Sequence, residues 1–163
     1  MKKLLIMRHA KTESAEIFRS DFVRNLTPNG VSQALKQGKF LSLLSFEPQK
    51  ILVSPSNRTI QTLENLLPET QWENSIVEVK DNLYHCNVSN LLKIINTADD
   101  EISNFMLIGH NFGMLELVQH FSNEYIEKFS TGSMAMFEFD VANWSEVEPE
   151  NANQIYLKTP LDD

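Results

Sequence analysis

The chain alternates short, wholly apolar runs with longer stretches in which apolar residues recur every three or four positions. Leu4-Leu5-Ile6-Met7 is a continuous apolar run, the pattern of a strand buried on both faces. Thr27-Pro28-Asn29 opens a helix, with Thr27 as N-cap and Pro28 in the first turn. Val31, Ala34, Leu35, Gly38 and Leu41 then predict a helix over about 29–46, stopped by Glu47-Pro48. Ile51-Leu52-Val53 predicts a second buried strand and Ser54-Pro55-Ser56-Asn57 a turn. Ile60, Leu63 and Leu67 mark a second helix, ended by Pro68. Ile76 to Val79 reads as a third strand, and a helix over about 88–97 turns Leu91, Leu92 and Ile95 inward. Phe105-Met106-Leu107-Ile108 is the fourth strand. Asn111 is placed to cap a helix whose inner stripe is Met114, Leu115, Val118 and Phe121. Beyond it, Met134 to Val141 alternates, with Ala135, Phe137, Phe139 and Val141 on one face. Ile155 to Lys158 does so over a shorter span, and both read as strands nearer an edge. The order β-α-β-α-β-α-β-α-β-β predicts a three-layer α/β/α sandwich with a mostly parallel sheet. With 163 residues and no linker, repeat or low-complexity segment, one domain over 1–163 is expected.

Composition narrows the setting. The lone cysteine, Cys86, excludes an internal disulfide framework and points to a reducing compartment. The N-terminus, MKKLLIMRHAK, places two lysines before an apolar stretch, but Arg8 interrupts that stretch too soon for a signal peptide. No run approaches the ~18 apolar residues of a membrane helix. The expectation is a soluble, cytoplasmic protein. A net charge of −8 weighs against nucleic acid and anionic membranes as partners. Glu146 to Glu150 reads as a solvated acidic loop.

Against that acidic background, the positions of the few cations matter. In open α/β sheets, ligands bind outside the carboxyl ends of the strands. Arg8 and His9 follow the first strand, Arg58 follows the second within Ser54-Pro55-Ser56-Asn57-Arg58, and Gly109-His110-Asn111 follows the fourth. Two arginines and two histidines are thus expected at one edge of the sheet. Guanidiniums match phosphate oxygens bidentately, and the start of the helix after His110 adds free backbone N–H groups. The sequence has no HExxH, no paired cysteines and no carboxylate at ligand spacing from the histidines, so no metal and no cofactor are expected. In a phosphate pocket of this kind, a histidine can attack phosphorus through a neutral ring nitrogen, while the arginines and a second histidine stabilise charge on the transferring group.

These residues resemble the signatures of the histidine phosphatase (phosphoglycerate mutase-like) superfamily. The similarity lies in Met7-Arg8-His9, in Ser54-Pro55-x-x-Arg58-x-x-Gln61-Thr62 and in Gly109-His110-Asn111, in that order, each after a predicted strand. Asp21-x-x-Arg24-x-Leu26-Thr27-x-x-Gly30 and Leu83-Tyr84-His85 extend it to the bacterial phosphohistidine phosphatase branch. The resemblance implies a metal-independent hydrolase in which His9 is the phosphorylated nucleophile. It also implies that Arg8, Arg58 and His110, with Asn111 beside them, bind the phosphate, and that Arg24 lines the mouth.

The chain departs from the family at two points. Its first signature reads Arg8-His9-Ala10 rather than RHG, so the backbone after His9 is expected in an ordinary region. The stretch after the third strand, Asp81-Asn82-Leu83-Tyr84-His85-Cys86, lacks the glutamate with which mutases and ester-cleaving members protonate a leaving alkoxide. Such an acid contributes roughly 10²–10⁴-fold to ester cleavage, and less where the leaving group is an imidazole. Phosphohistidine on a protein, such as a histidine phosphotransfer domain, is therefore the expected substrate. His85 and Asp81 are the alternative proton donors. A phosphatase for a small phosphorylated metabolite and a non-catalytic phosphate- or phosphoprotein-binding module are the other readings, the last disfavoured because His9 is present.

Overall fold

The computed structural model describes residues 1–17 and 20–160, apart from the side chain of Ile17. Six strands form one sheet: β1 (Lys2–Arg8), β2 (Lys50–Val53), β3 (Val77–Val79), β4 (Asn104–Gly109), β5 (Met134–Phe139) and β6 (Ala152–Lys158). Four helices separate the first five: α1 (Pro28–Ser42), α2 (Asn57–Thr70), α3 (Val88–Asn96) and α4 (Gly113–Phe121). The strand order is β3-β2-β4-β1-β5-β6. The first four strands in that order are parallel, and β5 and β6 are antiparallel additions. The fold is thus the expected α/β sandwich with a mostly parallel sheet.

Alternation within the apolar strands feeds two cores. Leu4, Ile6, Phe105, Leu107, Ala135 and Phe137 face α3 and α4, where they meet Leu91, Ile95, Leu117 and Phe121. Leu5, Met7, Ile51, Val53, Met106 and Ile108 face α1 and α2, where they meet Leu41, Leu63 and Leu66. Each such side chain, fully buried, contributes roughly 1.5–3 kcal/mol. Helix α1, which follows β1, therefore covers one face, and α4, which follows the adjacent β4, covers the other. The carboxyl ends of β1 and β4 form a topological switch point, where such sheets open a crevice.

Several element ends differ from expectation. Helix α1 stops at Ser42, four residues early, and Phe46 folds back into the core instead of extending the helix. Pro68 does not end α2 but lies within its last turn, and the helix closes at Gln71 in the left-handed region. Near a C-terminus proline removes a single ladder bond. Here the Gln71 N–H still reaches the Leu67 carbonyl at 3.0 Å, and the Thr70 hydroxyl donates to the same oxygen at 3.1 Å. Ile76 belongs to a short 3-10 turn rather than to β3. Strand β5 ends at Phe139 and pairs on both sides, so of the last two strands β6 alone lies at an edge, opposite β3 at the other. Asn111 does not cap α4: the N-cap is Phe112, without a side-chain bond. No helix of the described residues is long and apolar enough to cross a membrane.

Candidate active site

Four hydrogen bonds, two of them through the Thr62 hydroxyl, build the site at the switch point. Strands β1 and β4 run in register up to Arg8 opposite Gly109. The His9 N–H continues that ladder to the Gly109 carbonyl at 3.1 Å, and the His9 carbonyl accepts from the Gly132 N–H at 2.9 Å. The Ala10 N–H donates to the Thr62 hydroxyl at 2.9 Å, and that hydroxyl donates to the Arg58 carbonyl at 2.6 Å. His9 is thus clamped between β4, the approach to β5 and the first turns of α2. Ala10 is not among the described residues with positive φ, in keeping with the departure from glycine there.

The side chains converge. The rings of His9 and His110 lie 5.3 Å apart between centroids. Both are recessed, with 6% and 7% of their surface exposed, and Arg58 with 3%. His9 Nδ1 sits 2.8 Å from its neighbour's carbonyl, Ala10 O. A carbonyl only accepts, so the proton of the neutral ring is on Nδ1 and the Nε2 lone pair is left unshared. Burial above all depresses the His9 pKa to about 3; the Ala10 bond opposes it, and His110, Arg58 and Arg8 add smaller downward effects. The ring is therefore neutral at ordinary pH.

His110 Nε2 lies 2.7 Å from the Ser54 hydroxyl. That hydroxyl can donate to a neutral imidazole or accept from a protonated one, so it serves both charge states. Burial, followed by Arg58 and His85, lowers the His110 pKa to about 3, with Asp21 opposing. His110 is neutral without a bound anion, and a phosphate dianion beside it would drive its protonation.

The arginines are fixed from behind. Arg8 Nη1 donates to the Phe129 carbonyl at 3.0 Å, and Asn111 Nδ2 reaches the same oxygen at 2.9 Å. Asn111 is thus a brace for the loop before β5, with its Oδ1 buried and unpartnered. Arg58 donates through Nη1 to the Asp21 carbonyl at 2.7 Å and through Nη2 to Asp21 Oδ2 at 2.8 Å. Three nitrogens of this cluster, Arg8 Nε, Arg58 Nε and His110 Nδ1, are buried without a partner in the protein. Leaving a buried polar group unpaired costs about 1–3 kcal/mol, more for a charged one. Unpaired donors of this kind are groups that the acceptor oxygens of an anion satisfy.

The remaining expected residues lie around this cluster rather than in it. Arg24 spends its nitrogens on the Asp21 carboxylate, the Thr12 hydroxyl and the Glu13 carbonyl, which makes it an anchor of the segment after His9. Asp81 is exposed in a 3-10 turn, and no side-chain hydrogen bond or ion pair joins it to the cluster among the described residues. His85, with φ of 55°, is exposed at the rim. Its ring lies 4.0 Å from that of Tyr84 and 6.5 Å from that of His110. Among the described residues no group of three or more His, Cys, Asp or Glu side chains is arranged to hold a metal ion. Sequence reasoning missed the roles of Ser54, the Phe129 carbonyl and Asp21. Only Ser54 and Asp21 carried a signal, through the motifs they open.

The chain belongs to the histidine phosphatase superfamily (branch 1), whose family model matches residues 4–91. Its fold is similar to that of the protein histidine phosphatase SixA complexed with tungstate, with 26% identity, 97% of each chain covered and a TM-score of 0.81. It is also similar, at 15% identity with 98% of each chain covered and a TM-score of 0.61, to a phosphoserine phosphatase in complex with 3-phosphoglyceric acid from Entamoeba histolytica. An uncharacterized chloroplastic protein of Arabidopsis thaliana is 27% identical over 155 residues, 89% of this chain and 70% of that protein.

Proposed function

We propose that this protein is a metal-independent phosphatase that hydrolyses phosphohistidine on a protein, through a phosphoryl group carried on His9. The observation that carries the reading is the state of His9. Its neutral ring is tethered through Nδ1 to Ala10 O, and its Nε2 lone pair is unshared, inside a cluster of guanidiniums with unpaired donors. In the first step Nε2 attacks phosphorus and the P–Nε2 bond forms, while the P–N bond to the substrate ring breaks with its electron pair going to that nitrogen, so that a substrate ring protonated on its other nitrogen leaves as neutral imidazole. In the second, water attacks phosphorus, the P–Nε2 bond breaks and inorganic phosphate leaves with the water oxygen. Arg8, Arg58 and His110 hold the equatorial oxygens in both steps, and Asn111 supports the pocket from the Phe129 side.

The substrate follows from the acid. Asp21 is the carboxylate bonded to this cluster. Burial opposes its ionisation, but hydrogen bonds from Tyr84, Arg24 and Arg58 outweigh that and hold it well below the usual carboxylate range. A carboxylate kept ionised cannot protonate an alkoxide. An imidazole leaving group demands less of an acid, so a histidine phosphotransfer domain suits the site better than a phosphate ester. A second reading, a small phosphorylated metabolite as substrate, draws on His85, whose exposed ring at the rim could donate that proton. The free Cys86 fits a reducing, cytoplasmic setting.

The test is a matched assay of wild type and His9→Ala on a phosphohistidine protein and on p-nitrophenyl phosphate. Wild type should clear phosphohistidine efficiently and the ester poorly, and His9→Ala should lose both. A preference for the ester or for a sugar phosphate would overturn the substrate assignment, and full activity in His9→Ala would overturn the mechanism.

A further inference from the structure

We infer that Asp21 is the positioning residue of the phosphate pocket: it grips the outer edge of the Arg58 guanidinium at two points and leaves the Nε edge for the phosphoryl group. The inference rests on the phosphatase reading and adds to it a residue outside the histidine and arginine set. An arginine at the start of a helix has several rotatable bonds and would ordinarily sample many positions. Here Nη1 meets the Asp21 carbonyl at 2.7 Å and Nη2 meets Asp21 Oδ2 at 2.8 Å, which fixes both the plane and the rotation of the fork. Arg58 Nε remains buried and unpartnered.

The grip is itself immobilised. Asp21 Oδ1 accepts from Arg24 Nε at 2.9 Å and Nη2 at 2.6 Å, while Oδ2 also accepts the Tyr84 hydroxyl at 2.9 Å. With four donors, the carboxylate has its lone-pair sites filled and cannot turn without breaking bonds. Arg24 ties the assembly to Thr12 and Glu13 in the segment just after His9. Tyr84, held by the same carboxylate, sets its ring edge-on to His110 at 5.5 Å between centroids. One side chain thus orients an arginine and a wall of the pocket.

The charge of Asp21 matters as well as its shape. After burial, Arg58 and to a lesser degree Arg8 push the His110 pKa down, and Asp21 counters them. Without it, Arg58 would keep a buried cation beside a second guanidinium, with no fixed counter-charge to set its direction.

The experiment is a double-mutant cycle on the affinity for inorganic phosphate, read by NMR titration. Asp21→Ala should weaken phosphate binding about tenfold in the wild-type background, the effect expected when a buried arginine loses a half-exposed partner. In an Arg58→Gln background the same Asp21→Ala change should alter affinity by less than about twofold, because its lever is gone. Asp21→Asn, nearly isosteric, serves as the second variant and should show the same pattern with a smaller loss. An equal loss in both backgrounds would make Asp21 a loop anchor and overturn the inference, as would wild-type affinity in Asp21→Ala. A wild type that binds no phosphate would bring down the phosphatase reading together with this one.

Discussion

Lowering the pH from about 7.5 to about 5 protonates an ordinary histidine, but His9 and His110 are held neutral in the folded protein, with pKa values depressed from 6.5 to about 3. Both folded values lie below the unfolded one. Between about pH 3 and 6.5 the unfolded chain therefore binds the extra protons, and stability falls as the pH is lowered. At pH 5 an unfolded histidine is about 1.5 units below its pKa, which at about 1.4 kcal/mol per unit is a loss of about 2 kcal/mol for each ring and about 4 kcal/mol for the two. The Asp21 carboxylate contributes nothing in this window, because a depressed carboxylate loses its stabilisation only as the pH falls below its ordinary value of 3.8. Urea unfolding read by the fluorescence of the fully buried Trp144 measures the difference. Wild type should lose about 4 kcal/mol between the two pH values, and His9→Gln about 2 kcal/mol. Only the change with pH is compared, so any offset from the cavity left by His9 cancels. An identical pH dependence in His9→Gln would refute a buried neutral ring at position 9.

Two further outcomes follow from single contacts. Ser54→Ala removes the hydroxyl 2.7 Å from His110 Nε2, and the unpaired buried nitrogen should cost about 1–3 kcal/mol, seen as a fall in kcat/KM of roughly 5- to 150-fold with the fold retained; unchanged kinetics would show that Ser54 plays no part in setting His110. Gly30→Ala would put a Cβ 2.0 Å from the Lys11 carbonyl oxygen, an atom that already accepts from the Thr27 N–H, so the helix start must shift. A loss of about 1–3 kcal/mol and a lowered Tm are expected, and a melting curve that matches wild type would contradict the contact.

The strand and helix order was legible because β1, β2 and β4 are buried on both faces and are written as unbroken apolar runs, while α1 and α3 carry periodic stripes. The same pattern placed Arg8, His9, Arg58 and His110 at strand ends, and the parallel pairing of β1 with β4 brings the two histidines together. What stayed hidden depends on contacts far apart in the chain. Arg8 is braced by a carbonyl 121 positions away, and Arg58 by Asp21, 37 positions before it. A backbone carbonyl has no residue signature, so Phe129 could not be singled out. Asn111 was misread as a cap because its side chain serves the loop before β5 instead. Pro68 was misread as a stop because its cost in the last turn is a single bond, which tertiary packing of Leu66 and Thr70 outweighs.

The central claim is that phosphorus is carried on His9 Nε2. Rapid quench of the enzyme with a phosphohistidine protein labelled on phosphorus tests it directly. The enzyme should carry label that is stable in base and lost in acid, on the peptide containing His9, with none on His9→Ala. Label that persists in His9→Ala, or wild-type turnover by that variant, would contradict it.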